Sequence, residues 1–270
     1  MSNAQHPSTT VPLPALDFRS APERLTLKRE EVHIWRVGLD QHPQTVARLS
    51  AVLADDERNR ADKLYFEKDR RRFTVARGVL RIILGRYLNT KPEQLGFHYT
   101  KFGKPMLANA GVDALRFNVS HSEELAVYAV ACGREVGIDI EYLRPDIEAE
   151  QIAQQFFSST EAAMLRSLPG EVRNRAFFNC WTRKEAYIKA RGDGLSFPLD
   201  HFDVTLAPGE QAKLLSTKND PQEAGRWRLG ELSIAPNYVA TVAVEGSDWH
   251  LVCWRWAEGI SSIGERRSPT

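Results

Sequence analysis

Apolar residues recur along the chain in two periods, and the switches between them outline an architecture. An alternating run over 32–37 predicts a strand, and a charge-rich helical pattern follows over 49–64. Phe73, Ala76, Leu80, Ile83, Leu84 and Tyr87 then repeat at steps of three and four, one apolar stripe along a helix. Asn89 and Pro92 stand just past its expected end. Strands are predicted over 97–99, 115–120 and 125–132, with turns over 101–105 and at Gly133-Arg134. A further strand covers 136–141. After Pro145 the period becomes helical over 148–157, 160–168 and 172–191, with Pro169-Gly170 and Gly192-Asp193-Gly194 as stops. Strands over 202–206, 226–232, 238–244 and 251–256 close the chain. The class is α+β, with antiparallel strand pairs and helices beside them. Each half starts rich in helix and closes on a pair of apolar strands.

With 270 residues, 42% of them hydrophobic, the chain can bury a sizeable core in one large domain or two small ones. The net charge of +1 gives no global attraction to nucleic acid or an anionic membrane. Any phosphate binding therefore rests on local clusters. Cys132, Cys180 and Cys253 are scattered, and no Cys-x-x-Cys or His-x-x-x-His spacing occurs, so neither a zinc site nor a disulfide framework is expected. Reduced thiols in a cytoplasmic protein are the plain reading. No apolar run approaches the ~20 residues that span a bilayer. Residues 1–30, with Pro7, Pro12 and Pro14, read as an extended arm, and 257–270 as a flexible polar tail.

Two stretches carry candidate chemistry. Val136-Gly137-Ile138-Asp139-Ile140-Glu141 places two acids two positions apart, on one face of a strand whose other face is apolar. Acids on a strand ordinarily face water, but two neighbouring carboxylates repel unless a cation lies between them. In Trp181-Thr182-Arg183-Lys184-Glu185-Ala186-Tyr187-Ile188-Lys189, the residues Trp181, Glu185 and Lys189 share a helix face. Alone, that pattern is an ordinary surface ion pair worth ~0.3–0.5 kcal/mol. Together, three carboxylates with Lys184 and Lys189 point to a hard divalent cation holding a phosphate-bearing substrate. Ser120-His121-Ser122 is not read as a nucleophile and its base, because adjacent residues on a strand point apart and no Gly-x-Ser-x-Gly elbow exists. The basic run Arg70-Arg71-Arg72 opens the striped helix.

At these residues the chain resembles the larger, surfactin-synthetase-activating type of 4′-phosphopantetheinyl transferase. That pattern is Gly-(Ile/Val)-Asp followed, some 40–50 residues on, by (Trp/Phe)-x-x-Lys-Glu-(Ala/Ser)-x-x-Lys. Here Asp139 and Glu185 are 46 positions apart, and every fixed position is filled. Two more blocks stand in order, Gly103-Lys104-Pro105 and Phe117-Asn118-Val119-Ser120-His121-Ser122. The resemblance covers about 54–206. It implies two similar halves, a pseudo-dimer of small antiparallel sheets with packed helices, and an active site between them. The division falls near Gly133-Arg134, giving 31–132 with coenzyme A contacts and 133–256 with the metal site.

The resemblance also implies roles. Mg²⁺ would sit on Asp139, Glu141 and Glu185, with Glu141 acting directly or through a water. Asp139, Glu185 and Lys189 form the catalytic set, Glu185 being the base directly or through a metal-bound water. Coenzyme A would be held by Arg60, Arg72, Tyr99, Lys104, Pro105, Asn118, Ser120 and His121, and by Asp139, Lys184, Glu185 and Lys189. Arg72 is placed on the 3′-phosphate, while Glu57 stands where relatives sometimes carry a lysine. Trp181 is read as packing. The implied reaction moves phosphopantetheine from coenzyme A to a serine of an acyl or peptidyl carrier protein, releasing adenosine 3′,5′-bisphosphate. Residues 142–157, with Arg144, Ile147, Phe156 and Phe157, are the expected docking rim, although phenylalanines there also suit a core. A cytoplasmic monomer without nucleic-acid or membrane partners is expected. A Mg²⁺-dependent nucleotide pyrophosphate hydrolase and an inactive carrier-binding module are the alternatives.

Overall fold

The computed structural model describes residues 16–108, 114–192, 194 and 197–257. The expected tail from 258 onward and the first half of the expected arm lie outside the described residues.

The same order of elements occurs twice. In the first pass a strand β2 (Glu31–Gly38) leads to short helices α1 (Pro43–Ala51) and α2 (Asp55–Asp62) and the long helix α3 (Glu67–Leu88). A hairpin β3 (Phe97–Tyr99) and β4 (Pro105–Leu107) follows, then β5 (Leu115–Ser122) and β6 (Leu125–Cys132). In the second, β7 (Val136–Tyr142) leads to α4 (Ala149–Phe156), α5 (Ser159–Ser167) and α6 (Gly170–Arg191). Then come β8 (Phe202–Val204) and β9 (Leu214–Thr217), the single-turn α7 (Glu223–Arg226), β10 (Trp227–Glu231) and β11 (Tyr238–Glu245). Both long helices have 22 residues. The sheets also match: β6 lies between β2 and β5, and β11 between β7 and β10. The chain is thus α+β and built as a pseudo-dimer.

Two segments cross that division. The last strand, β12 (His250–Arg255), pairs parallel with β2 of the first sheet. Beyond it β1 (Arg19–Ser20) pairs with β12, and Leu25 is buried in the first core. Residues 16–30 are therefore tied down rather than a free arm, and the end of the 133–256 segment belongs to the first sheet. A period of two cannot announce which sheet a strand joins.

Local chemistry explains the other departures. The single helix expected over 49–64 is two, because Glu57 reaches back to the Ala54 N–H at 3.0 Å and starts a new one. Helix α3 begins at Glu67, ahead of the apolar stripe, with Glu67 and Asp69 favourable to the dipole of its first turn. Strands β4 and β9 are three and four residues long, too short to carry a readable period.

Alternation on β7 decides where the site lies. Val136, Ile138 and Ile140 enter a core shared with Val32, Ile34, Val127 and Ala129 of the first sheet. Gly137, Asp139 and Glu141 face the other way. That side is covered by α6 rather than by water, since a Cβ on Gly137 would lie 2.1 Å from the Ala186 carbonyl oxygen.

Strand β12 is fastened through buried His33. Its Nδ1 faces two groups, the Trp254 indole N–H at 3.1 Å and the Tyr87 hydroxyl at 2.6 Å. An indole only donates, so Nδ1 accepts and the ring proton sits on Nε2, toward Glu31 at 3.3 Å. Burial holds the pKa of His33 below its usual 6.5, opposed by Glu31. The folded state then binds fewer protons than the unfolded one, so this contribution is present above pH 6.5 and is lost as pH falls. Raised carboxylates such as Glu141 act in the opposite sense. The expected result is therefore a difference: between pH 7.5 and 5.5 the parent loses more urea stability than His33→Gln does. Equal losses would remove His33 as the cause.

Candidate active site

A cleft of about 770 Å³ opens where the halves meet, lined from β5, β7, α4 and α6. Its polar wall joins Ser120, His121, Asp139, Glu141, Glu185 and Lys189. Val119, Phe156, Trp181 and Leu199 add apolar lining.

At the centre is Asp139, only 3% exposed. Its Oδ1 accepts from Lys189 Nζ at 2.6 Å and from Ser120 Oγ at 2.8 Å, and Lys189 Nζ also meets Ser120 Oγ at 3.0 Å. Asp139 Oδ2 and Glu185 Oε1 are buried without a hydrogen-bond partner. A buried carboxylate oxygen left unmatched is costly, and a cation is one way to satisfy it.

The electrostatics follow. Burial raises the Glu185 carboxyl, and Asp139 raises it further. Glu141 is pushed up to about 7 by burial and then by Asp139. Burial disfavours the Lys189 ammonium, but Asp139, Glu185 and Glu141 together outweigh it, so Lys189 is held charged. His121 is exposed at the cleft, yet desolvation by the cleft walls and repulsion from Lys189 and Arg72 lower its pKa. It is a neutral imidazole near pH 7, not a standing cation.

The donor set of Asp139, Glu141 and Glu185 has the oxygen chemistry Mg²⁺ prefers, and two of its oxygens are unmatched. Among the described residues, however, no group of three or more His, Cys, Asp or Glu side chains is drawn together as a finished cation site. Lys189 fills part of the space by pairing with Asp139.

Several expected contacts lie elsewhere. Lys184 is fully buried, bonded to the Leu199 and Phe202 carbonyls at 2.8 and 2.6 Å and to Glu161 at 2.8 Å. All three ammonium protons are taken, so it braces α6 instead of reaching a phosphate. The reason is helical phase: Lys184 is one step, about 100°, from Glu185 and off the face of Trp181 and Lys189. Lys104 reaches Glu135 at 3.3 Å and the Ala190 carbonyl at 3.0 Å, tying the β3–β4 turn to the end of α6. Asn118 is buried and accepts the Ile138 N–H at 2.9 Å, fixing β7 against β5. Pro105 pairs with Tyr99 across the β3–β4 hairpin, and the Tyr99 hydroxyl accepts from Arg77 at 2.6 Å. Arg60 lies over the Phe73 ring. Arg72 is gripped by both oxygens of Asp40 at 2.9 Å. Glu57 is buried between Arg77 and Arg81, so it is a fold-holding acid. Trp181 stacks on Phe177 and meets Phe156 edge-on, while Phe157 is buried.

Ser122 has no site role in the sequence reading, although it holds Glu141 at 3.0 Å. Its spacing of two from Ser120, matching Asp139 and Glu141, was the available signal.

Comparison with known proteins fits both halves. Residues 135–243 match the 4′-phosphopantetheinyl transferase superfamily, and 40–133 match the 4′-phosphopantetheinyl transferase N-terminal family. The chain is 46% identical over 236 residues to the 4′-phosphopantetheinyl transferase HetI of Nostoc sp. strain PCC 7120, covering 87% of this chain and 96% of that one. It is 30% identical over 167 residues to the 4′-phosphopantetheinyl transferase Sfp of Bacillus subtilis strain 168, covering 62% and 72%. The holo-[acyl-carrier-protein] synthase structure from Thermotoga maritima covers 41% of this chain and 62% of its own, at 18% identity and a TM-score of 0.34. No helix among the described residues is long and apolar enough to cross a membrane. With its two halves matched in order and a full-length relative at this identity, the chain belongs to the 4′-phosphopantetheinyl transferase superfamily and is an enzyme of that kind.

Proposed function

We propose that this enzyme transfers the phosphopantetheine group of coenzyme A to a serine hydroxyl of an acyl or peptidyl carrier protein, in a Mg²⁺-dependent reaction. One observation carries the reading: buried, unpartnered oxygens of Asp139 and Glu185 open on a cleft beside the charged Lys189. Asp139, Glu141 and Glu185 would hold the metal. When bound, Mg²⁺ supplies charge stabilisation to the pyrophosphate. Lys189 adds a second positive charge, held in place by Asp139 and Ser120. Glu185, directly or through a water, takes the serine proton as the oxygen attacks. The new bond forms at the phosphorus nearest pantetheine. The bond to the bridging oxygen breaks, and adenosine 3′,5′-bisphosphate leaves with the electron pair. Because the nucleophile is the partner's, the proposed reaction needs no Ser/His pair of this chain's own.

The test is incubation with coenzyme A, Mg²⁺ and an unmodified carrier protein, read by mass spectrometry. A phosphopantetheine-sized gain on the carrier serine is expected. Coenzyme A cleavage without carrier modification would favour a hydrolase, and no reaction would favour a binding module.

The carrier is proposed to dock beside the cleft. Arg144, Ile147 and Ile152 line a groove of about 410 Å³ that shares Gln155 with the cleft. Phe156 is 41% exposed at the same rim. Asp146 and Glu148 line the groove as well, so the fit is proposed to rest on apolar anchors, with Arg144 as the contact for an acid of the carrier. Replacing Arg144 and Ile147 with Glu is expected to raise the carrier KM about tenfold or more, since anchor residues of this kind contribute over ~1 kcal/mol each. The KM for coenzyme A stays near the parent value, while the Tm falls because Ile147 also packs against the second core. An unmoved carrier KM would shift docking to another face, with Arg58 to Lys68 next.

A further inference from the structure

Strands β5 and β7 run side by side without a hydrogen-bonded ladder, and side chains bridge them instead. The bridges have a period. Ser120 Oγ donates to Asp139 Oδ1 at 2.8 Å, and two residues on, Ser122 Oγ donates to Glu141 Oε2 at 3.0 Å. Each acid thus meets one serine supplied by the other half.

The two serines differ. Ser120 is shared with Lys189, which itself holds Asp139. Ser122 also accepts the Tyr142 backbone N–H at 3.1 Å. With that lone pair occupied, the hydroxyl proton is turned toward Glu141. Glutamate has one more rotatable bond than aspartate, and repulsion from Asp139 drives it away from its neighbour. A tether would keep Glu141 turned toward the cation proposed for Asp139.

We propose that Ser122 is a positioning residue: its hydroxyl, fixed by the Tyr142 N–H, holds Glu141 in the orientation in which it serves the metal with Asp139. This rests on the metal reading given under Proposed function. The first half of the chain would then set the ligand geometry of the second.

The test is Mn²⁺ affinity, measured by electron paramagnetic resonance on the full chain with coenzyme A present and no carrier. Losing a hydrogen bond to a metal-binding carboxylate weakens the metal about tenfold or more. Ser122→Ala is expected to do so, and Ser122→Thr, which keeps the hydroxyl, to remain near parent. In a Glu141→Gln background, Ser122→Ala should add nothing. If the alanine variant does not fold, Ser122→Cys, a same-shaped but weaker donor, is expected to give a smaller loss in the same direction. Unchanged Mn²⁺ affinity in the folded variant, with or without a fall in Tm, reduces Ser122 to a strand-end support and overturns the proposal. Equal losses with and without Glu141 overturn it too. Asp139→Ala separates the two readings: if it loses Mn²⁺ while Ser122→Ala does not, only this proposal fails. If the parent binds no Mn²⁺, or Asp139→Ala binds it as well, the metal reading fails and takes this proposal with it.

Discussion

Asp139→Ala is expected to leave a folded chain whose transfer rate has fallen by at least about a hundredfold to a thousandfold, the range seen when a group stabilising transition-state charge is removed. Three consequences of the geometry add. The carboxylate with the unmatched oxygen is gone, and with it one proposed metal ligand. Lys189 loses its 2.6 Å partner and keeps only the Ser120 hydroxyl. Asp139 also contributes to raising both Glu185 and Glu141, so its removal changes the charge balance of the whole acid cluster. Stability moves little, because relief of repulsion among three acids offsets the unpaired lysine. Single-turnover mass analysis of the carrier, with a melting curve alongside, checks this. A folded variant transferring near the parent rate under saturating Mg²⁺ would move the chemistry away from β7.

Much of this site was legible because strand and helix periods turn sequence spacing into direction. Asp139 and Glu141 had to share a face, as did Trp181, Glu185 and Lys189, and the structure puts the two faces against each other. What was not legible is where long side chains end. The resemblance implies coenzyme A contacts for Lys184, Lys104 and Arg72, and the structure gives each of them protein partners. A lysine's spacing does not tell whether its ammonium meets solvent, a carbonyl or a carboxylate. Those partners come from 135, 161, 199 and 202, and from Asp40, positions far off in sequence. The fold behaved likewise: long periodic elements were readable, while short β4 and β9 and the return of β12 to the first sheet depend on tertiary pairing.

Gly137→Ala is expected to damage stability and chemistry together, and the reason is one close approach. An added Cβ would lie 2.1 Å from the Ala186 carbonyl oxygen, 2.3 Å from the Ala190 nitrogen and 2.9 Å from the Ala190 Cα. These are backbone atoms of α6, which no rotamer change can move aside. Either β7 or α6 must shift by roughly an ångström, and overpacking of a tight core costs about 1–3 kcal/mol even where side chains can yield. The same shift separates Asp139 on β7 from Glu185 and Lys189 on α6, and a misplacement of about 1 Å can cost a hundredfold in rate. Gly137 therefore sets the spacing between the two strips of proposed catalytic residues. The control is Gly230→Ala, whose Cβ would meet Val242 at an ordinary 3.4 Å. That variant is expected to keep near-parent activity. Melting curves and transfer assays well below the lowered Tm separate the two effects: the Gly137 variant should remain slow even where it is fully folded. Parent-like activity under those conditions would show that α6 can retreat from β7 without disturbing the site.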